Sequence, residues 1–274
     1  EVSDVLVGDV WLGSGQSNMA MTVNRAKDFE KEKTAASHPL IRHFKEESGA
    51  ATAAQAQAKG NWLACTPDNV GGFSAVLYFF GREIQREVGV PIGLINTSVG
   101  GTPIESWIAP EVQETKPELS AALKAQSDAM PKVDPEKAKD DYAAAVEKYK
   151  AAKAKAVAEG TKAPRPPRNA AVVNERKGNY GSLFNGKVAP LVPYTLRGML
   201  WYQGEANSSD SRAPLYVHQL SALITDWRAR WGDEALPFAW VQLPNFRRAG
   251  GGWPLMRESM LKTLALPNTG MAIA

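Results

Sequence analysis

The chain has 274 residues, of which 44% are hydrophobic and 22% are charged, and this ordinary globular composition provides for a sizeable core. Its net charge of +3, with no compact basic run, argues against nucleic acid as a partner. No apolar run approaches the roughly 18 residues of a membrane-spanning helix. The single cysteine, Cys65, excludes an intrachain disulfide and a thiolate metal cluster.

The hydrophobic pattern predicts strands that alternate with helices. Short apolar runs bounded by turn residues predict strands, and apolar residues at helical spacing predict helices. This alternation favours an α/β fold with a central parallel sheet and helices on both faces. The predicted strands are 5–12, 41–44, 62–65, 91–96, 195–202, 237–243 and 271–274, and the predicted helices are 72–88, 215–231 and 255–264.

Polar, glycine-rich clusters lie at the ends of three of these predicted strands. The clusters are GQSN (15–18), NTSVGG (96–101) and QGEAN (203–207). Active sites of parallel α/β sheets lie at the carboxyl ends of the strands. We therefore expect the three clusters to meet at one edge of the sheet and to form the functional site.

Ser17 in the first cluster is the candidate nucleophile. A serine hydroxyl needs a base to accept its proton and donors to hold the developing oxyanion. Gly13 and Gly15 allow a tight turn that would expose the hydroxyl. The pattern differs from the nucleophile elbow of α/β-hydrolases, because Met19 stands where that motif has its second glycine. A serine before an asparagine is also a common helix cap, so capping remains the alternative.

The other two clusters contain groups that can stabilise an oxyanion. Gly100 and Gly101 can present a bare backbone N–H to a carbonyl oxygen, and Gln203 or Asn207 can add a side-chain amide. Three strand ends would then supply a nucleophile and two kinds of donor around one point.

Residues 113–177 interrupt the α/β alternation. They are rich in Ala, Lys and Glu, which favour helix, and end in the proline-rich stretch TKAPRPPR (161–168), which cannot be helical throughout. We predict a helical hairpin broken near Pro131 and Pro135. The segment is either a solvated insertion without chemistry or a lid or docking arm. The predicted domain organisation is 1–112 and 178–274 as the two halves of one domain, with 113–177 as the insertion.

The three clusters, in this order, resemble the SGNH hydrolases of the sialate O-acetylesterase type and the related acetylxylan-esterase-like carbohydrate esterases. The resemblance covers most of the chain outside the insertion. It implies a three-layer α/β/α SGNH (flavodoxin-like) fold, an acetylated carbohydrate as substrate, no metal or other cofactor, and a secreted or periplasmic location. The motifs that carry it are GQSNM (15–19), NTSVGGTPIESW (96–107) and WYQGEAN (201–207).

The resemblance also assigns roles to individual residues. Ser17 matches the catalytic serine, and Gly101 or its neighbour Gly100 matches the glycine of the oxyanion hole. Gln203 stands where the family has its amide donor. Glu205 matches an acidic position that some relatives use in a catalytic triad, although a carboxylate there can also cap the next helix or hold a loop.

One family motif, the Asp-x-x-His block that supplies the general base, has no match among these residues. The histidines are His38, His43 and His218, and none follows an aspartate at that spacing. Histidines in such positions are more often structural or surface residues. We expect the chain to be a fragment, with further domains of the same polypeptide on both sides and the base outside it.

The leading hypothesis is a serine carbohydrate O-acetylesterase that forms an acetyl-Ser17 intermediate. A non-catalytic carbohydrate-binding or scaffolding module on an SGNH fold is the alternative, and the missing Asp-x-x-His block is its main support. A broader SGNH lipase or thioesterase is a third possibility, against which the tryptophan-rich, polar strand ends argue.

Overall fold

The computed structural model of the protein describes residues 3–128, 134–167, 180–247 and 249–274. The chain divides into two compact units, and the α/β unit has two segments. The boundaries predicted at 113 and 177 stay predictions. The α/β unit comprises Glu1–Leu119 and Gly181–Ala274, and the second unit comprises Ser120–Tyr180.

A seven-stranded sheet forms the centre of the α/β unit. Its strand order is β3-β2-β4-β1-β5-β6-β7, and all neighbours are parallel except the antiparallel pair β2 and β3 at one edge. The predicted α/β fold with a central parallel sheet is therefore confirmed. The strands are β1 (Asp9–Gly15), β2 (His38–Lys45), β3 (Trp62–Cys65), β4 (Ile92–Asn96), β5 (Gly198–Tyr202), β6 (Phe238–Val241) and β7 (Thr269–Ala272).

All three predicted helices are present, with small differences at their ends. Ser74, expected near the start of the first, is its N-cap and accepts a hydrogen bond from the N–H of Leu77. No helix among the described residues has the length and apolar character needed to cross a membrane. The helices are α1 (Ser17–Ala20), α2 (Phe29–Ala35), α3 (Ala75–Val88), α4 (Pro110–Thr115), α5 (Pro117–Asp128), α6 (Pro135–Ala158), α7 (Tyr216–Trp231) and α8 (Gly252–Lys262).

Two of these helices, α5 and α6, lie within the predicted insertion. Helix α6 begins at Pro135, where the sequence predicted a break, and Asp134 caps it by accepting a hydrogen bond from the N–H of Glu136 at 3.0 Å. The break expected near Pro131 lies outside the described residues.

The predicted bounds of the first strand, 5–12, are wrong at both ends. Val5 and Val7 are 66% and 89% exposed, and pairing with β4 starts only at Asp9. The strand continues to Gly15, because β5 still offers a partner there and the N–H of Gln16 donates to the carbonyl of Tyr202 at 2.9 Å. The prediction from apolar character alone therefore assigned to the strand residues that have no neighbouring strand to pair with.

Residues of the central strands alternate between two hydrophobic clusters, one on each face of the sheet. On β1, Leu12 belongs to one cluster and Trp11 packs against the other. On β5, Trp201 and Tyr202 are divided in the same way. This period of two is expected for strands buried on both faces, and it shows that helices cover the sheet on each side.

A buried ion pair, Glu46–Lys187, joins the end of β2 to a π-helical turn, Phe184–Val188. The two side chains are 0% and 5% exposed, and Lys187 Nζ lies 2.5 Å from Glu46 Oε2. Lys187 also donates to the carbonyls of Glu46 and Ser48, each at 2.8 Å. Every N–H bond of the ammonium group thus has an acceptor, which a buried charge requires.

We predict that Lys187→Met lowers the free energy of unfolding by about 3–5 kcal/mol, because it leaves the Glu46 carboxylate buried without a cation. The double variant Glu46→Leu/Lys187→Met should lose less than the single variant, because no uncompensated charge remains. Urea denaturation measures both. A double variant that is less stable than Lys187→Met would contradict this explanation.

Candidate active site

The order of the strands reverses at β1, and this places the three polar clusters side by side. Strands β2 to β4 lie on one side of β1, and β5 to β7 lie on the other. The carboxyl ends of β4, β1 and β5 are therefore neighbours, and such a switch point is where parallel α/β sheets have a crevice. The segments that follow these three strands form the candidate active site.

Ser17 lies directly behind β1, as the first residue of the short helix α1. It is exposed, and a Cβ atom on Gly100 would lie 3.8 Å from both Cα and Cβ of Ser17, so the two strand ends touch. The cap position of α1 is Gln16, and no side chain caps this helix. The capping alternative for Ser17 therefore does not describe this structure.

Gly101 provides an open backbone turn directly after Gly100, the residue that touches Ser17. Its φ of +73° lies in the left-handed region that favours glycine, and a Cβ there would meet no atom within 4 Å. Among the described residues, no hydrogen bond occupies its N–H. Its role as an oxyanion donor stays a prediction.

Glu205 reaches the first cluster from the end of β5. Its Oε1 accepts a hydrogen bond from Asn18 Nδ2 at 2.8 Å, one residue after Ser17. Its Oε2 is buried and has no hydrogen-bond partner within the described part of the chain. Burial raises the pKa of the Glu205 carboxyl above its ordinary value. The side chain thus faces the serine cluster, and one of its oxygens is open to a further donor.

The side chain of Gln16 makes contacts with the QGEAN cluster that the sequence did not indicate. Its side chain is 3% exposed, and its Oε1 accepts from the N–H groups of Gly204 and Ala206, each at 3.4 Å. Together with the hydrogen bond from Asn18 to Glu205, this fastens the GQSN cluster to the QGEAN cluster. Nothing in the sequence beyond its membership of GQSN marks it.

Gln203 and Asn207, the predicted amide donors, are both fully buried. Gln203 Nε2 donates to the carbonyl of Thr102 at 3.1 Å and to Asn207 Oδ1 at 2.8 Å. Asn207 Oδ1 also accepts from the N–H of Ile104 at 3.0 Å. These contacts link the second and third clusters, and the predicted oxyanion role of the two amides stays a prediction.

A buried carboxylate, Glu105, lies behind these amides and was missed by the sequence analysis. Asn207 donates to it at 2.9 Å, Gln219 at 2.8 Å, and Arg212 Nη2 lies 2.9 Å from both of its oxygens. Burial alone would raise the pKa of Glu105, but the charge and hydrogen bonds of Arg212 and the bond from Asn207 lower it. An acidic residue inside the apolar run PIESWIAP was the available signal.

The three histidines lie on β2 and α7, outside the three polar clusters. His43 is buried against Phe73, accepts from the N–H of Ser74 at 3.3 Å, and burial lowers its pKa to about 3. His218 is exposed on α7, and His38 lies at the start of β2. None has a hydrogen bond with Ser17 or Glu205 among the described residues. The structural role expected of them agrees with the environment of His43.

The parallel sheet with its crevice at β1 is the fold of the SGNH-like carbohydrate esterases, as predicted. Residues 7–160 and 174–274 match the family model described as carbohydrate esterase, sialic acid-specific acetylesterase, and the chain belongs to this family.

Named relatives and solved structures agree with this assignment. The sialate O-acetylesterases of rat and human are 31% and 30% identical to this chain over its whole length, and the chain spans about half of each (52% and 48%). A carbohydrate acetylesterase from Xanthomonas citri is 35% identical with a TM-score of 0.73, covering 98% of this chain and 50% of that one. The structure of NanS, at 12% identity, covers 97% of this chain and 77% of that one; its TM-score of 0.52 bears on the fold alone.

We predict that Glu205→Gln gains stability relative to the unchanged protein as the pH rises. Gln keeps an acceptor for Asn18 but removes the charge. Because the folded-state pKa of Glu205 is raised, ionisation destabilises the folded protein above the ordinary glutamate range, whereas both proteins are neutral at this position below it. Urea unfolding at about pH 4 and about pH 8 measures the difference. The exposed Glu234→Gln is the control, and an equal pH dependence in both variants would refute the expectation.

We also predict that His43 makes the protein less stable in acid. Its folded-state pKa of about 3 lies below the ordinary 6.5, so the unfolded chain takes up a proton that the folded chain refuses as the pH falls through this window. Unfolding measured at about pH 7.5 and about pH 5 should show a smaller acid loss in His43→Gln than in the exposed control His218→Gln. Equal losses in the two variants would rule out this contribution.

Proposed function

We propose that the protein is a serine carbohydrate O-acetylesterase that removes acetyl groups from sialic acid or an acetylated polysaccharide. The observation that carries the proposal is the exposed Ser17, which lies against Gly100 and directly precedes Asn18, the partner of Glu205. Membership of the esterase family and the names of the relatives support the reaction class. Because the chain spans about half of these relatives, the activity of the whole protein is part of the proposal.

In the proposed reaction, Ser17 Oγ attacks the carbonyl carbon of the acetyl group and gives up its proton to a base. The carbonyl oxygen becomes an oxyanion, held by the backbone N–H of Gly101 and by Asn207 Nδ2 rather than Gln203, because both hydrogens of Gln203 Nε2 already have acceptors. The tetrahedral species then breaks its bond to the sugar oxygen, which leaves as an alcohol with the proton. Water attacks the acetyl-Ser17 ester in the second half, which releases acetate and restores the serine.

Glu205 is proposed as the acid that orients the base. A carboxylate in this role holds an imidazole in the correct tautomer and stabilises the imidazolium that forms. The unpartnered Oε2 is suited to accept the N–H of such a ring. Because the three histidines of these 274 residues lie elsewhere, we propose that the imidazole comes from another part of the same polypeptide.

We predict that Ser17→Ala lowers hydrolysis of 4-nitrophenyl acetate by more than about a thousandfold, because no other hydroxyl replaces the nucleophile. The matched control is Ser209→Ala, an exposed serine after β5, which should retain activity within about twofold. Both variants are measured in this chain and in a polypeptide extended on both sides to the length of the relatives.

The outcomes separate the alternatives. Activity that depends on Ser17 only in the extended polypeptide supports both the nucleophile and a base outside these residues. If this chain alone is as active as the extended polypeptide, the base lies among these 274 residues. If neither form shows activity that depends on Ser17, the esterase proposal is overturned and a carbohydrate-binding module is favoured.

A further inference from the structure

A chain of hydrogen bonds runs from an ion pair with a buried carboxylate to the turn beside Ser17. It starts at Glu105 and Arg212 and passes through Asn207 and Gln203 to the carbonyl of Thr102. Thr102 directly follows Gly100 and Gly101, of which Gly100 lies next to Ser17. The inference below concerns the same site as the proposed function and rests on that proposal for its kinetic effect.

Fixed groups at both ends determine how the Asn207 amide points. The backbone N–H of Ile104 can only donate, so it requires the amide oxygen, Oδ1, on its side. The ionised Glu105 can only accept, so it requires Nδ2 on the other side. A flipped Asn207 would place a donor against a donor and an acceptor against an acceptor, in a site without exposure to water.

The partners of Gln203 fix the orientation of its amide in the same way. The carbonyl of Thr102 and Asn207 Oδ1 both require its Nε2. At its other end, Trp201 Nε1 donates to Tyr216 Oη at 2.9 Å, and the Tyr216 hydroxyl in turn has two acceptors on Gln203, Oε1 at 2.7 Å and the backbone carbonyl at 3.1 Å. The orientation of each amide therefore depends on that of its neighbour.

While it is charged, Glu105 can only accept at both of its oxygens, and it is the acceptor end of this chain. Arg212 contacts both carboxylate oxygens and also donates to the carbonyl of Ala206 at 2.9 Å, within the QGEAN cluster. Gln219 adds a further donor to Oε1. A neutral group in place of Glu105 could offer either an oxygen or a nitrogen to Asn207, and Arg212 would lose its counter-charge.

We propose that Glu105, paired with Arg212, is a positioning residue that sets the direction of the Asn207 and Gln203 amides and thereby holds the turn Gly100–Thr102 beside Ser17. Glu105 itself touches no reacting atom. Its effect on the reaction passes through Asn207, so loss of Glu105 should slow acyl transfer more than it weakens substrate binding.

The chain contains a matched control for this proposal in Glu46. Both Glu105 and Glu46 are buried carboxylates paired with a cation, but no hydrogen bond joins Glu46 to Gln203 or Asn207 among the described residues. Glu105→Gln and Glu46→Gln therefore each remove the charge of a buried carboxylate that is paired with a cation. A general loss of stability affects both variants, whereas a loss of positioning affects only Glu105→Gln.

The first test measures kcat and KM for 4-nitrophenyl acetate in the extended polypeptide, with thermal unfolding to correct for the folded fraction. Glu105→Gln should lower kcat by about 10- to 100-fold with KM within about threefold, while Glu46→Gln keeps kcat within about twofold. Equal losses of kcat in the two variants, or an effect on KM alone, would overturn the proposal.

A double-variant cycle tests whether Glu105 acts through Asn207. If it does, Asn207→Ala/Glu105→Gln should have the same kcat as Asn207→Ala alone, because the link is already broken. Losses that multiply in the double variant would overturn the proposal. Should Glu105→Gln fail to fold, Arg212→Lys replaces it: a lower kcat at constant KM is expected, and an unchanged kcat in this folded variant counts against the proposal.

Hydrogen exchange gives a readout that is independent of activity. The backbone amides of residues 99–102 should exchange faster in Glu105→Gln than in Glu46→Gln, measured by mass spectrometry at equal stability. Equal exchange would overturn the inference even if the esterase proposal holds. Ser17→Ala is included in the kinetic assay, so that a failure of the proposed function (activity retained without Ser17) is distinguished from a failure of this inference.

Discussion

The central position of β1, with a parallel partner on each edge, is the constraint on which the site depends. Gly13 pairs with Asn96 of β4, and Gly15 pairs with Tyr202 of β5. After Asn96 the chain continues along β1, with the N–H of Val99 bonded to the carbonyl of Gly15 at 3.0 Å, and so reaches Ser17 at Gly100. A side chain at position 15 would lie 2.2 Å from the carbonyl oxygen of Tyr202, so glycine is required for β1 and β5 to approach this closely.

Behind this edge, the ion pairs Glu46–Lys187 and Glu105–Arg212 differ in the groups to which their charges are bonded. Glu46–Lys187 is satisfied mainly by backbone groups of the segments it joins, so its charges hold chain segments together. Glu105 of the pair Glu105–Arg212 accepts from the side-chain amides of Asn207 and Gln219, and the Asn207 amide is bonded in turn to Gln203 at the candidate site. A buried charge that adds little to the free energy of unfolding, because of its desolvation cost, can still select one arrangement of the groups bonded to it. Of the two pairs, Glu105–Arg212 is the one whose bonded groups belong to the candidate site.

The sequence predicted the fold well because the relevant signals are local. Alternating apolar runs and helical periodicity depend on nearby residues, as does the cap at Ser74. The prediction failed where apolar residues do not pair with a neighbouring strand: Val5 and Val7 are apolar but exposed, with no strand beside them. The three polar clusters could be found because each directly follows a strand. The partners of Glu105 could not, because Arg212 and Gln219 are more than a hundred residues away and only the folded chain brings them together.

The two carboxylate oxygens of Glu205 differ in their partners, and this difference leaves room for one further hydrogen-bond donor at the candidate site. Asn18 binds one carboxylate oxygen, and the other is held away from water without a donor. Burial raises the pKa of this carboxyl, so its ionised form is stabilised poorly by the residues around it. An N–H donor that reaches Oε2 would supply the missing hydrogen bond and lower the pKa again. Binding of an imidazole at this point would therefore be favoured by the same electrostatics that the proposed reaction needs, and Glu205 would direct the imidazole toward Ser17 rather than accept the proton itself.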